Sequence, residues 1–110
     1  TNNIELPNQL VRQGKIVFID ITADWCLTCK VNKFLVTDTM DVKELFQKHK
    51  VTVLRLDWTK PNYEIKRFLS MKGRYGIPFN EIYGPSLPNG KIFPELLNQD
   101  TIKEYITLAK

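Results

Sequence analysis

Much of what a 110-residue chain can use to declare itself is scarce here: two cysteines, one histidine, two methionines, and no apolar run longer than segments such as Ile16 to Ile19. Such runs fall far short of the roughly 20 apolar residues that a membrane-spanning helix needs, so no direct insertion of this segment into a bilayer is expected. The net charge of +4 arises from scattered lysines, without a block of like charge or a basic and aromatic stripe, which argues against a nucleic-acid partner. One histidine and two cysteines leave a four-ligand zinc site dependent on carboxylates, an uncommon set. Met40 and Met71 fall in separate helical regions and read as core rather than copper ligands. His49, between Lys48 and Lys50, reads as a solvated residue at a helix end. The chain starts at Thr1 with no basic segment followed by an apolar one, so it is expected to be a mature or excised fragment.

What is present suits one globular domain over residues 1–110, with 43% hydrophobic and 25% charged residues. Asn8 to Gln13 reads as a short helix ending at Gly14, and Lys15 to Ile21 as a buried central strand whose apolarity Asp20 breaks. From Cys26 to about Val36 the spacing turns helical, with Cys29, Lys33 and Val36 on one face and Val31, Phe34 and Leu35 on another. A helix over Val42 to Lys48, capped by Asp38 or Asp41, precedes a strand over Val51 to Trp58. Asn62 is placed to cap a helix over Tyr63 to Met71, ended by Gly73. A third strand runs to Tyr83, Pro88-Asn89-Gly90 reads as a hairpin turn into a fourth at Lys91 to Phe93, and Asp100 caps a last helix with Ile102, Tyr105, Ile106 and Leu108 on its apolar face. A crossover helix between parallel strands followed by an antiparallel hairpin gives a mixed sheet with helices on both faces, an α/β architecture of the thioredoxin-like kind.

The chemistry concentrates where the first strand meets its helix, in Asp24-Trp25-Cys26-Leu27-Thr28-Cys29-Lys30. A sulfur at a helix N-terminus meets unpaired N–H groups and the positive end of the helix dipole, so Cys26 is the expected nucleophilic thiolate. Cys29, one turn on, is then the resolving thiol. An exposed nucleophile and a shielded resolver are expected. An inert disulfide is the competing reading, but closing four residues removes little chain entropy. Asp20, six residues before Cys26, is expected to face inward beneath the motif, raised by burial and able to accept the Cys29 proton. Trp25 is expected at the surface, flanking a docking patch. Ile77-Pro78 lies where an X–Pro bond can be cis, though most such bonds are trans.

Ala23 to Lys30, with Asp20 upstream and Gly76-Ile77-Pro78 downstream, resembles the thioredoxin superfamily. Leu56-Asp57-Trp58-Thr59, Ile77-Pro78-Phe79-Asn80, Tyr83-Gly84-Pro85 and Pro94-Glu95-Leu96-Leu97 bring the resemblance to the C-terminal domain of DsbD-type membrane thiol:disulfide interchange proteins, also called cytochrome c-type biogenesis proteins. The resemblance implies a cis Ile77–Pro78 bond facing Cys26, with the Ile77 backbone pairing to an extended partner segment. It also implies a monomeric domain of a membrane protein, on the periplasmic side of the bacterial inner membrane. There it would relay electrons from a membrane transporter to periplasmic redox proteins, using no cofactor beyond Cys26 and Cys29. A free periplasmic oxidase or isomerase, or a metal-binding module on the same fold, are the alternatives. Two features depart from the families: Lys33 stands where a glutamate is frequent, and Leu27-Thr28 replaces the Gly-Pro pair of ordinary thioredoxins.

Overall fold

The computed structural model describes residues 6–110; the first five residues of the expected domain lie outside the described residues. Its elements are α1 (Leu6–Arg12), β1 (Val17–Thr22), α2 (Leu27–Asn32) continued by a π-helical turn (Lys33–Thr37), α3 (Met40–Lys48), β2 (Thr52–Asp57), α4 (Tyr63–Met71), β3 (Phe79–Gly84), β4 (Leu87–Ile92) and α5 (Gln99–Ala109). The strands stand in the order β2-β1-β3-β4, with β1 parallel to β2 and antiparallel to β3. The β-branched run therefore occupies the centre, where a strand must be apolar on both faces.

Alternation along β1 divides the core. Phe18 looks toward the π turn, α3 and α5, packing with Val36, Val42, Phe46, Phe93, Ile102 and Ile106. Its ring lies 5.2 Å from that of Phe46 and 5.5 Å from that of Phe93. Val17, Ile19 and Ile21 look the other way, onto Leu10 and Val11 of α1 and Ile65, Phe68 and Leu69 of α4. Helices thus cover both faces, as the sequence pattern implies.

Several local expectations are corrected. The turn between β3 and β4 is Pro85-Ser86, and Pro88-Asn89-Gly90 instead forms a bulge inside β4. β4 is an edge strand, so Pro88 costs no ladder bond there, and Gly90 supplies the φ of +84° that the bulge needs. Gly84 precedes the turn as the one residue that fits there, since a Cβ would collide with the Ala109 carbonyl of α5. Helix α3 is capped by Thr39, whose Oγ1 accepts from Val42 N–H, not by Asp38 or Asp41. Helix α5 is capped by Asn98, whose Oδ1 accepts from Thr101 N–H at 2.8 Å, which places Asp100 inside the first turn. Asn62 does cap α4, accepting from Ile65 N–H at 3.0 Å. Met40 and Met71 are exposed rather than core, because they sit at the outer ends of α3 and α4. Leu108 is likewise half-exposed, and Ala109 fills the interior in its place.

Candidate active site

β1 ends at Thr22, and the chain crosses to α2 through Ala23-Asp24-Trp25-Cys26. Cys26 is the N-cap of α2, with extended backbone (φ −90°, ψ 99°), and its sulfur accepts from Cys29 N–H at 3.2 Å. The two cysteines are joined as a disulfide, Cα atoms 5.3 Å apart. Both sulfurs therefore lie at the helix mouth, where the backbone donors of the first turn favour negative charge on Cys26 once the bond is reduced. Cys26 is 5% exposed and Cys29 6%, so the oxidised pair does not show the expected contrast of exposure. The cause is packing: Ala23 and Ile77 enclose both cysteines in one small apolar cluster.

The segment before Cys26 is braced from β2. Thr59 Oγ1 accepts from Asp24 N–H at 2.9 Å, and the Thr59 carbonyl accepts from Trp25 Nε1–H at 3.2 Å. Asp57 Oδ1 in turn accepts from the Thr59 hydroxyl at 2.5 Å and from Thr59 N–H at 2.8 Å. Those two bonds hold the Asp57 carboxyl below its ordinary range. Trp25 is at the surface, as expected, with its indole anchored at one end. The Ile77–Pro78 bond is cis, in agreement with the implication of the resemblance.

Asp20 points inward beneath the motif, its side chain 14% exposed. Each of its oxygens has a polar partner. Arg55 Nε donates to Oδ2 at 3.1 Å and Asn80 Nδ2 donates to Oδ1 at 3.0 Å. Both partners are its direct neighbours across the sheet, Arg55 on β2 and Asn80 on β3. Asp20 and Cys29 line one recess of about 240 Å³, whose charged walls also include Lys30, Lys33, Arg55 and Asp57. Lys33 lies 4.0 Å from Asp38 as an exposed pair. The recess gives the carboxylate and the Cys29 side a common, solvent-sized space.

Arg55, Asn80 and Thr59 were not singled out by sequence reasoning as site residues, and neither was Asn32. The Asn32 side chain is buried, donating to the Glu95 carbonyl at 2.8 Å and accepting from Leu97 N–H at 3.0 Å. It ties α2 to the loop before α5 where the helix widens into its π turn. The only local signal for Asn80 was a polar pair, Asn80-Glu81, between Phe79 and Ile82, and Arg55 offered none, because its place beside Asp20 follows from the register of β1 against β2. Beyond the recess, Leu27, Val31, Phe34 and Leu35 leave the outer face of α2 and its π turn apolar and exposed. Among the described residues no group of three or more His, Cys, Asp or Glu side chains is placed to hold a metal ion.

A family model described as thioredoxin-like matches residues 7–85. The thiol:disulfide interchange protein DsbD of Pseudomonas sp. (strain JR1 / K1) is 39% identical over 66 residues, 60% of this chain and 11% of that protein. DsbD of Haemophilus ducreyi is 34% identical over 80 residues, 71% of this chain and 13% of that protein. The chain thus spans about an eighth of the length of the curated relatives it matches. In fold it is similar to the oxidised C-terminal domain of Neisseria meningitidis DsbD, with a TM-score of 0.74, 18% identity, and coverage of 96% of this chain and 90% of that one. With its disulfide at the mouth of α2, its cis-proline and its mixed sheet, the chain belongs to the thioredoxin-like family and is similar within it to the C-terminal domain of DsbD.

Proposed function

We propose that this domain is a protein thiol:disulfide oxidoreductase that relays electron pairs from a membrane electron transporter to periplasmic partner proteins. The observation that carries the reading is the Cys26–Cys29 disulfide at the N-terminus of α2, with the Cys26 sulfur already accepting a backbone N–H. Likeness to DsbD supports the relay and a location on the periplasmic side of the bacterial inner membrane. Among the described residues no helix is long and apolar enough to cross a membrane. The domain acts as a monomer and needs no cofactor besides its cysteine pair.

In the reduced domain, the Cys26 thiolate attacks a partner disulfide. A Cys26–partner bond forms as the partner's own S–S bond breaks, and the departing partner sulfur takes a proton from solvent. Cys29 then gives its proton to Asp20 across the recess and attacks Cys26. The Cys26–Cys29 bond forms, the second partner thiolate leaves and is protonated, and two electrons have passed to the partner. Trp25 flanks the docking surface, and the backbone of Ile77 beside cis-Pro78 pairs with the partner segment.

Cys29→Ser tests the reading by removing the resolving step. The variant is expected to accumulate covalent adducts through Cys26 with periplasmic thiol proteins, reversed by dithiothreitol and absent from Cys26→Ser. Absence of adducts together with stoichiometric copurified metal selects the metal-binding module instead. Direction is set by the potential against glutathione. A value near the roughly −120 mV of strong disulfide donors contradicts the reductase role and selects the oxidase.

A further inference from the structure

Strand β3 is buried along its whole length, yet its second residue carries an amide: Asn80 is 3% exposed. Leaving an amide unpaired in that setting is costly, so the acceptors it finds are informative. Its Nδ2 donates to Asp20 Oδ1 at 3.0 Å and approaches the Ile19 carbonyl at 3.5 Å. A carboxylate can only accept, which fixes the amide with its NH2 group toward Asp20. The opposite oxygen is taken by Arg55, so the carboxylate is held between two donors, one from each strand flanking β1. The backbone of Asn80 is fixed in the sheet, its main-chain carbonyl accepting from Phe93 N–H at 2.8 Å. It follows cis-Pro78 by two residues, as the second residue of β3. The amide thus joins the segment beside the disulfide to the carboxylate in the recess.

We propose that Asn80 is a positioning residue for the resolving step: its amide sets the plane of the Asp20 carboxylate so that an oxygen faces the recess shared with Cys29. The inference rests on the proton-acceptor reading of Asp20. The step it serves is the transfer of the Cys29 thiol proton to that carboxylate, as the Cys29 sulfur bonds to Cys26 and the Cys26–partner bond breaks. Arg55 alone leaves the carboxylate free to swing about a single contact. The second donor removes that freedom.

Rapid mixing of the reduced domain with a disulfide-bonded peptide separates formation of the Cys26 adduct from its release by Cys29. Asn80→Leu keeps the branched shape and removes the donor. It is expected to slow release about tenfold, the rate equivalent of one ordinary hydrogen bond, and to leave adduct formation unchanged. In an Asp20→Asn background the same substitution is expected to have no further effect on release, because nothing remains to be positioned. Unchanged release in Asn80→Leu, or equal slowing with and without the Asp20 carboxylate, overturns the proposal. A wild-type domain that forms no adduct overturns the oxidoreductase reading itself, a separate outcome. A measurement that needs no variant follows the Asn80 side-chain amide of the wild-type protein by NMR as pH is lowered. Its resonances are expected to shift with the Asp20 carboxyl carbon, and a flat profile refutes the contact even if Asn80→Leu fails to fold.

Discussion

Two carboxylates on neighbouring strands, each met by a cation, have opposite surroundings. Asp20 on β1 and Glu81 on β3 fall on opposite faces of the sheet, because Asp20 pairs with Asn80 while Glu81 pairs with Ile19. Glu81 is 1% exposed and bonded to Lys72 Nζ at 2.8 Å. That ammonium also donates to the Asn89 carbonyl at 3.2 Å and stands 5.0 Å over the Tyr83 ring. A Cβ at Gly90 would lie 2.5 Å from Glu81 Oε2, so the bulge of β4 closes directly over the carboxylate. Burial pushes the Glu81 carboxyl up, against the opposing bonds from Lys72 and Tyr83. It also raises the Tyr83 phenol, with the neighbouring Glu81 charge adding to the shift. Asp20, by contrast, opens onto a recess it shares with Cys29. A similar ion pair is sealed from solvent in one case and opens onto the recess in the other, which the proposed proton transfer from Cys29 requires.

The contrast breaks most visibly at Lys72. Lys72→Met leaves Glu81 buried without its cation, an arrangement that costs about 3 kcal/mol or more, while disulfide exchange at Cys26 continues. A carboxyl raised in the folded state contributes stability that is complete below its unfolded value, about 4.3, and is lost as pH rises through the folded one. The Lys72→Met deficit is therefore expected to be large in urea unfolding at neutral pH and to shrink as pH falls toward 4. Asp20→Asn is expected to behave in the opposite way, slowing release of the Cys26 adduct about a hundredfold while leaving the urea midpoint nearly in place.

Gly90→Ala sharpens the same comparison, since it meets both a positive φ and the Glu81 carboxylate. A loss of about 2 kcal/mol is expected in unfolding, with the rate of Cys26 adduct formation retained. The smallest effect is expected at the margin of the open site. Thr59→Ala removes the hydroxyl that joins Asp57 to Asp24 N–H, and should weaken association with a partner about fivefold, the equivalent of one hydrogen bond of about 1 kcal/mol. Titration calorimetry with a reduced, non-exchanging partner variant measures it.

The open site was more legible in the sequence than its supports. A two-cysteine spacing after an apolar strand announces itself locally, and Asp20 stands out because β1 is otherwise apolar. Asn62 before α4 was readable because capping is a local bond between residues three apart. Arg55, Asn80 and Thr59 act across separations of 34 to 60 residues, so their roles depend on strand register, which no local pattern states. Pro88-Asn89-Gly90 misled because its turn-forming chemistry serves a bulge as well as a hairpin, and only the edge position of β4 decides between them. The caps of α3 and α5 were misplaced for a similar reason: several short polar residues precede each helix, and backbone geometry chooses among them. Among the buried ionisable groups, the Glu81 network was invisible because β3 gives no sign of where the end of α4 returns.

The most direct measurement is the ionisation of the reduced cysteines, followed by thiolate ultraviolet absorbance and by the pH dependence of alkylation at each sulfur. The account predicts that Cys26 ionises well below the roughly 8.5 of a free thiol, with Cys29 ionising above Cys26. Two sulfurs that both stay protonated up to the ordinary thiol range would contradict it.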